Sequence, residues 1–249
     1  MSYTFLLIIV LKKIYKLVWV FVHMKNTWVI SLGGSRIVPD DVDWKFLSEF
    51  KALLDRHRDK NFAVVCGGGR TARRYMSALK KLGKKTRGQS IEGIAVTRFH
   101  AFFMARLFGR SANEEIPRNM KRVKNLLLKN QVVFSGALRW EPNNTSDGTA
   151  AKLAGYLNCP FINLTNVDGL YTMDPRKNKK AKLVRKISWK GFWDVAKKIK
   201  FEAGQHFVLD KVAALEIMED KTRTFIVGSL KEMDRVLDEE KFLGTEIFG

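Results

Sequence analysis

Cysteine is scarce in this chain of 249 residues: Cys66 and Cys159 are the only two. That excludes a disulfide framework and a cysteine-rich zinc site. Each thiol sits in or beside an apolar run, where a buried, unreactive cysteine is expected, and a reducing, cytoplasmic setting fits. The four histidines, His23, His57, His100 and His206, show no metal-ligand spacing, so a histidine metal centre is not expected. An uninterrupted apolar span of the 18 or so residues that a bilayer requires is also missing. Phe5 to Leu11 and Leu17 to Val22 are apolar, but Lys12, Lys13 and Lys16 divide them. A lysine at a helix centre costs roughly 2.5–3.5 kcal/mol on insertion, which argues against a spanning helix. No basic leader and no small-residue cleavage site precede this stretch. Residues 1–23 are read as an N-terminal extension outside the working protein, and residues 24–249 as one domain.

The familiar nucleotide motifs are absent too. Gly83-Lys84 has Ala78 where a Walker loop needs its first glycine. His57-Arg58-Asp59 imitates the protein-kinase catalytic triplet, but Val64 stands at the required asparagine and no Asp-Phe-Gly follows. Gly67-Gly68-Gly69-Arg70-Thr71-Ala72 has alanine at the last glycine of the G-x-G-x-x-G pattern, and a Rossmann dehydrogenase is disfavoured.

Basic residues are abundant: 45 Lys and Arg against 25 Asp and Glu give a formal charge of +20. Such an excess suits anionic ligands as a class, and equally a lysine-rich solvated surface. The run of basic side chains from Arg176 to Lys190 could bind polyanions, but with only Trp189 interleaved it reads at least as well as a solvated loop.

From Asn26 onward, strand-like and helix-like runs alternate. Trp28 to Leu32, Phe62 to Cys66, Gln131 to Ser135, Pro160 to Leu164 and Arg223 to Val227 read as buried strands, with Thr245 to Phe248 as a further short one. Between them fall helical stripes: Phe46, Phe50, Leu53 and Leu54; Ala72, Tyr75, Met76 and Leu79; Ala150, Leu153, Ala154 and Leu157; Phe192, Val195, Ala196 and Ile199. This alternation predicts an α/β fold, a three-layer αβα sandwich with a mainly parallel central sheet.

Two glycine-rich turns, Gly33-Gly34-Ser35 and Gly67-Gly68-Gly69, directly follow strands and precede helices. Glycine lets backbone N–H groups approach closely, and with a helix start they can hold phosphate oxygens. Thr145-Ser146-Asp147-Gly148 opens another helix, where the hydroxyls can cap free N–H groups or surround a phosphoryl group. Asp147 is a favourable dipole partner in that first turn and, beside phosphate-type turns, a candidate for holding magnesium.

The segment Thr165-Asn166-Val167-Asp168-Gly169-Leu170-Tyr171-Thr172-Met173-Asp174-Pro175 completes an ordered set. In this order the motifs resemble the amino acid kinase superfamily, and within it the archaeal-type uridylate (UMP) kinases, through Gly67 to Tyr75, Gly93 with Thr97-Arg98, and Asp210 with Ala213-Ala214. The resemblance implies ATP-dependent phosphoryl transfer to UMP, with an acceptor-binding N-terminal half, an ATP-binding C-terminal half, Mg²⁺ and a homo-oligomer, a hexamer in relatives. It places Gly34, Ser35, Gly69 and Arg73 at the ATP phosphates, and Thr165, Tyr171 and Asp174 around the nucleoside. Gly68, Ser90, Thr145 and Ser146 fall at the acceptor, and Asp147 at the metal and the transfer site, with Arg73 as the catalytic cation. Membrane and nucleic-acid partners are not implied.

Three departures bear on the acceptor. Ser31 stands where many superfamily members carry lysine, Ser90 replaces the acceptor-binding aspartate, and His100 replaces an asparagine. The segment Gly136 to Pro142 is long and holds Arg139, Trp140 and Glu141. Two further readings stay open at this level: a relative acting on another small acceptor, and a non-catalytic binding descendant.

Overall fold

The computed structural model describes residues 26–142, 144–173, 175, 178–198 and 208–249. Residues 1–23, Asp174 and Ile199 lie outside the described residues. The strands are β1 (Thr27–Leu32), β2 (Asn61–Cys66), β3 (Val132–Ser135), β4 (Phe161–Leu164), β5 (Lys186–Ser188), β6 (Thr224–Val227) and β7 (Gly244–Phe248). They form one seven-stranded sheet in the order β3-β2-β1-β4-β6-β7-β5. The five strands from β3 to β6 run parallel, β7 is antiparallel to β6, and β5 runs parallel to β7. Every residue of β1, β3, β4 and β6 is buried, as expected of parallel strands covered on both faces.

The helices are α1 (Gly34–Ile37), α2 (Trp44–Arg56), α3 (Gly69–Lys81), α4 (Thr86–Phe108), α5 (Met120–Leu127), α6 (Ser146–Leu157), α7 (Trp189–Ala196), α8 (Lys211–Glu219) and α9 (Leu230–Leu237). Alternate β1 residues enter opposite cores. Ile30 and Leu32 pack with Phe50 and Leu54 of α2, Met104 and Phe108 of α4, and Met233 of α9. Val29, on the other face, packs with Leu126 of α5, Ala150 and Leu153 of α6, Phe192 of α7 and Ile217 of α8. This is the αβα sandwich expected from the alternation.

Several local expectations need correction. Tyr75 does not face the core: it is 55% exposed, and Ala72 is the one buried residue of α3. The reason is that α3 packs on α4 and stands away from the sheet. Val195 likewise faces outward, while Phe192 and Ala196 are buried. Part of the basic run is a strand, since Lys186–Ser188 forms the sheet edge with Lys186 exposed. Such charged edge strands resist pairing with other chains. Both cysteines are buried free thiols, and burial pushes Cys159 up to about 12 and Cys66 further still. No helix of the described residues is long and apolar enough to cross a membrane.

Candidate active site

Strand order decides where a crevice opens. The chain goes from β1 outward to β2 and β3, then returns to place β4 on the other side of β1, so a topological switch point lies between β1 and β4. Ligands of open α/β sheets bind beyond the carboxyl ends of the strands at that point. The two glycine turns, the Gly136 loop after β3, Thr165 after β4 and Gly228 after β6 all lie there.

The two glycine turns interlock. A Cβ on Gly34 would lie 2.4 Å from the Gly67 carbonyl oxygen and 2.5 Å from the Gly69 nitrogen. Gly69 adopts φ +58°, and a side chain there would strike Gly34 and Ser35. Only glycine allows this contact, which brings the starts of α1 and α3 side by side. Ser146 adjoins them, its Oγ 3.3 Å from a Cβ built on Gly67. Beneath the second turn, the His100 ring holds the Gly67 carbonyl at 2.8 Å through Nδ1. The imidazole that replaces an asparagine therefore pins the turn from α4.

Arg36 closes the crevice on its far side. Its Nη2 donates to the carbonyls of Thr165 and Gly228, both at 2.5 Å, tying α1 to the ends of β4 and β6. Burial lowers the Arg36 pKa, with Asp43 opposing. Sequence reasoning did not single out Arg36, because an arginine after a glycine turn carries no signal of the strands it will reach.

Asp147 sits in the first turn of α6 and accepts a hydrogen bond from Ser31 Oγ at 2.5 Å. Burial and then the negative charge of Asp210 push it up to about 6, with the Ser31 hydroxyl opposing. Thr145 caps α6 by accepting the Gly148 N–H at 3.0 Å, and its own hydroxyl donates to Asp210. Asp210 in turn caps α8 by accepting the Ala213 N–H at 2.9 Å. The capping reading of Thr145 is thus realised, and the same bond draws a second carboxylate, Asp210, to the site. In the sequence Asp210 entered only through the resemblance, with Ala213-Ala214, which says nothing of its nearness to Asp147.

The remaining site residues fall on the rim. Gly68 lies against Ala72, Thr97 and Gly93 of the α3–α4 pair. Ser90 is half-buried one turn before Gly93, while Ser35 and Arg73 are exposed. The Tyr171 hydroxyl donates to Asp168 at 3.1 Å, and burial raises its pKa. A separate cavity of about 710 Å³, lined by Trp28, Arg223, Phe225 and Glu246, lies at the opposite ends of the strands and holds none of these residues.

Comparison with known proteins shows the family. The amino acid kinase family model matches residues 26–228. The chain is 35% identical over 202 residues to the uridylate kinase of Thermococcus onnurineus, covering 80% of this chain and 89% of that one. It is 32% identical over 226 residues to the uridylate kinase of Thermoplasma acidophilum, covering 90% and 97%. The crystal structure of uridylate kinase from Archaeoglobus fulgidus superposes with a TM-score of 0.78 at 30% identity, over 88% of this chain and 99% of that one. By its ordered motifs, its sheet and these likenesses, the chain belongs to the amino acid kinase family.

Proposed function

We propose that this protein transfers the terminal phosphoryl group of ATP to UMP, giving UDP and ADP. The observation that carries the reading is the interlock of Gly34 with Gly69 beside Asp147, which sets two helix N-termini and a carboxylate around one space. Phosphoryl transfer needs in-line positioning and neutralisation of spread negative charge, with no covalent enzyme intermediate. The relatives' activity supports UMP as acceptor.

In this reading the N–H groups of Gly34, Ser35 and Gly69 cradle the ATP phosphates, and Arg73, four residues into α3, adds a mobile positive charge. Thr165, Tyr171 and Asp174 surround the nucleoside of ATP. Gly68, Thr145 and Ser146 hold the acceptor phosphate, and Ser90 faces its sugar. Thr145 exchanges its bond to Asp210 for one to phosphate at little cost, since a hydroxyl both donates and accepts. Magnesium fits Asp147: the donors are all oxygen, and the proximity of Asp210 that raises the Asp147 pKa is a local excess of negative charge. When bound there, the metal would neutralise charge on the phosphates and leave Asp147 ionised.

We also read the chain as a homo-oligomer in a reducing cytoplasm. Tyr75, Ile91, Phe99 and Phe102 leave an exposed apolar face on α3 and α4, with Phe99 67% exposed. Glu92 and Arg106 lie seven residues to either side of Phe99, so an antiparallel self-pairing of α4 would oppose unlike charges. Size-exclusion chromatography with light scattering tests this.

The activity is tested by ADP release with Mg²⁺ and a panel of UMP, CMP, dUMP, AMP, acetylglutamate, aspartate and carbamate. UMP is expected to give the highest kcat/KM. Preference for a carboxylate acceptor would refute the reading while leaving the family intact.

A further inference from the structure

The segment from Gly136 to Pro142 is anchored at both feet. Its first foot is flush with α4: a Cβ on Gly136 would lie 2.5 Å from Thr97 Oγ1, and that hydroxyl accepts the Ala137 N–H at 2.9 Å. Arg98 then donates to the carbonyls of Ala137 at 3.2 Å and Leu138 at 2.7 Å. Near the other foot, Glu141 accepts from Lys152 of α6 at 2.8 Å, from Asn144 at 3.2 Å and from Arg139 at 2.6 Å. Between these anchors, Trp140 reaches back to the first turn of α4, where the Arg87 guanidinium carbon lies 5.2 Å from its ring centroid.

This places an aromatic ring at a telling distance from the acceptor's phosphate position. Gly68 touches α4 at Gly93 and Thr97. Arg87 is six residues before Gly93 and three before Ser90. At 1.5 Å per residue the helix rises roughly 9 Å over that interval, comparable with the length of a nucleoside monophosphate. An acceptor with its phosphate at Gly68 and its sugar at Ser90 therefore presents its base to the Trp140–Arg87 pair. Trp140 is 38% exposed. A planar base stacks on an aromatic face whatever its edge pattern, and a guanidinium on the ring strengthens the platform.

We propose that Trp140, held in place by Arg87 and by the two loop anchors, is the base-stacking residue of the acceptor site and offsets part of the loss of a carboxylate at Ser90. The proposal rests on the reading of UMP as acceptor. It assigns to the unusually long loop a role in acceptor specificity: planar nucleobases are held, and compact carboxylate acceptors gain nothing from it.

Steady-state kinetics of wild type, Trp140→Phe and Trp140→Ala test it. Trp140→Ala is expected to raise KM for UMP about tenfold, with kcat and KM for ATP within about twofold of wild type. Trp140→Phe, which keeps a stacking face, is expected to stay within about threefold. UMP should also quench tryptophan emission in wild type and not in Trp140→Phe, although that variant still binds UMP. Unchanged KM for UMP in Trp140→Ala, or equal quenching in both proteins, would overturn the proposal alone. A wild type that turns over no UMP would overturn the acceptor reading, and this inference with it.

Discussion

The Ser31 hydroxyl donates to the Asp147 carboxylate at 2.5 Å, across 116 residues of sequence. One residue is the last but one of β1, the other lies in the first turn of α6, and the bond fixes the carboxylate beside the interlocked glycine turns. Removing the hydroxyl with Ser31→Ala frees the carboxylate and removes an interaction that favours its charged form. Turnover is expected to fall about tenfold and its acid limb to move to higher pH. An unchanged pH–rate profile would show that Ser31 does not position Asp147.

Asp147 is raised from 3.8 to about 6. Below about pH 4 the group is protonated whether the chain is folded or unfolded; as pH rises through about 6 the folded protein has to carry a charge that its surroundings disfavour. The contribution of this group to stability is therefore greatest in acid and is lost as pH rises through about 6. Asp147→Asn removes the loss, so the ligand-free variant should gain on the order of 1–2 kcal/mol over wild type at pH 7 and little at pH 4, allowing for solvent that reaches the residue. Turnover should nevertheless collapse by at least a hundredfold, because the carboxylate that fits magnesium is gone. Thermal midpoints at the two pH values, with kcat, check both halves. A stability loss with near-normal turnover would make Asp147 a dipole partner only.

Gly34 has no room for a side chain, since its Cβ would lie 2.4 Å from the Gly67 oxygen. Gly34→Ala is expected to force the two turns apart, costing about 1–3 kcal/mol of stability and raising KM for ATP. Gly83, where a Cβ meets nothing within 4 Å, is not a fair control, because its φ of +71° strains any side chain. Gly88→Ala is the control, expected to be silent. Equal behaviour of the two alanine variants would refute the interlock.

With the acceptor placed as proposed, Ser90 would offer it a neutral partner where a carboxylate would make charge-assisted bonds of roughly 1.5–3 kcal/mol. Ser90→Asp should tighten UMP about tenfold and leave KM for ATP nearly unchanged. If Glu92 already supplies the charge, Glu92→Gln weakens UMP instead and Ser90→Asp has no effect. Titration of UMP by calorimetry distinguishes the two outcomes.

The fold was legible because its strands are short, apolar and each closed by a turn residue, so β1, β2, β3, β4 and β6 lie where the pattern places them. α3 was harder to read. Its apolar spacing is helical, but spacing cannot tell a face turned to the sheet from one turned to α4, and Tyr75 is exposed. α4 carries a long apolar stripe on more than one side, with Phe99 and Phe102 outward and Met104 and Phe108 inward, which blurs its period. At the site, glycine pairs and the Thr145 to Gly148 turn stood out because their chemistry is local. Arg36 did not, and the partners of Asp210 and Trp140 were not readable, because those contacts cross gaps that only the folded topology closes.

Identification of the product decides between UMP and any other acceptor. Purified protein incubated with ATP, Mg²⁺ and UMP, with nucleotides resolved by anion-exchange chromatography, should yield UDP and ADP in equal amounts, and Asp147→Asn should yield neither above background. Unchanged UMP alongside phosphorylation of another acceptor from the panel would contradict the account.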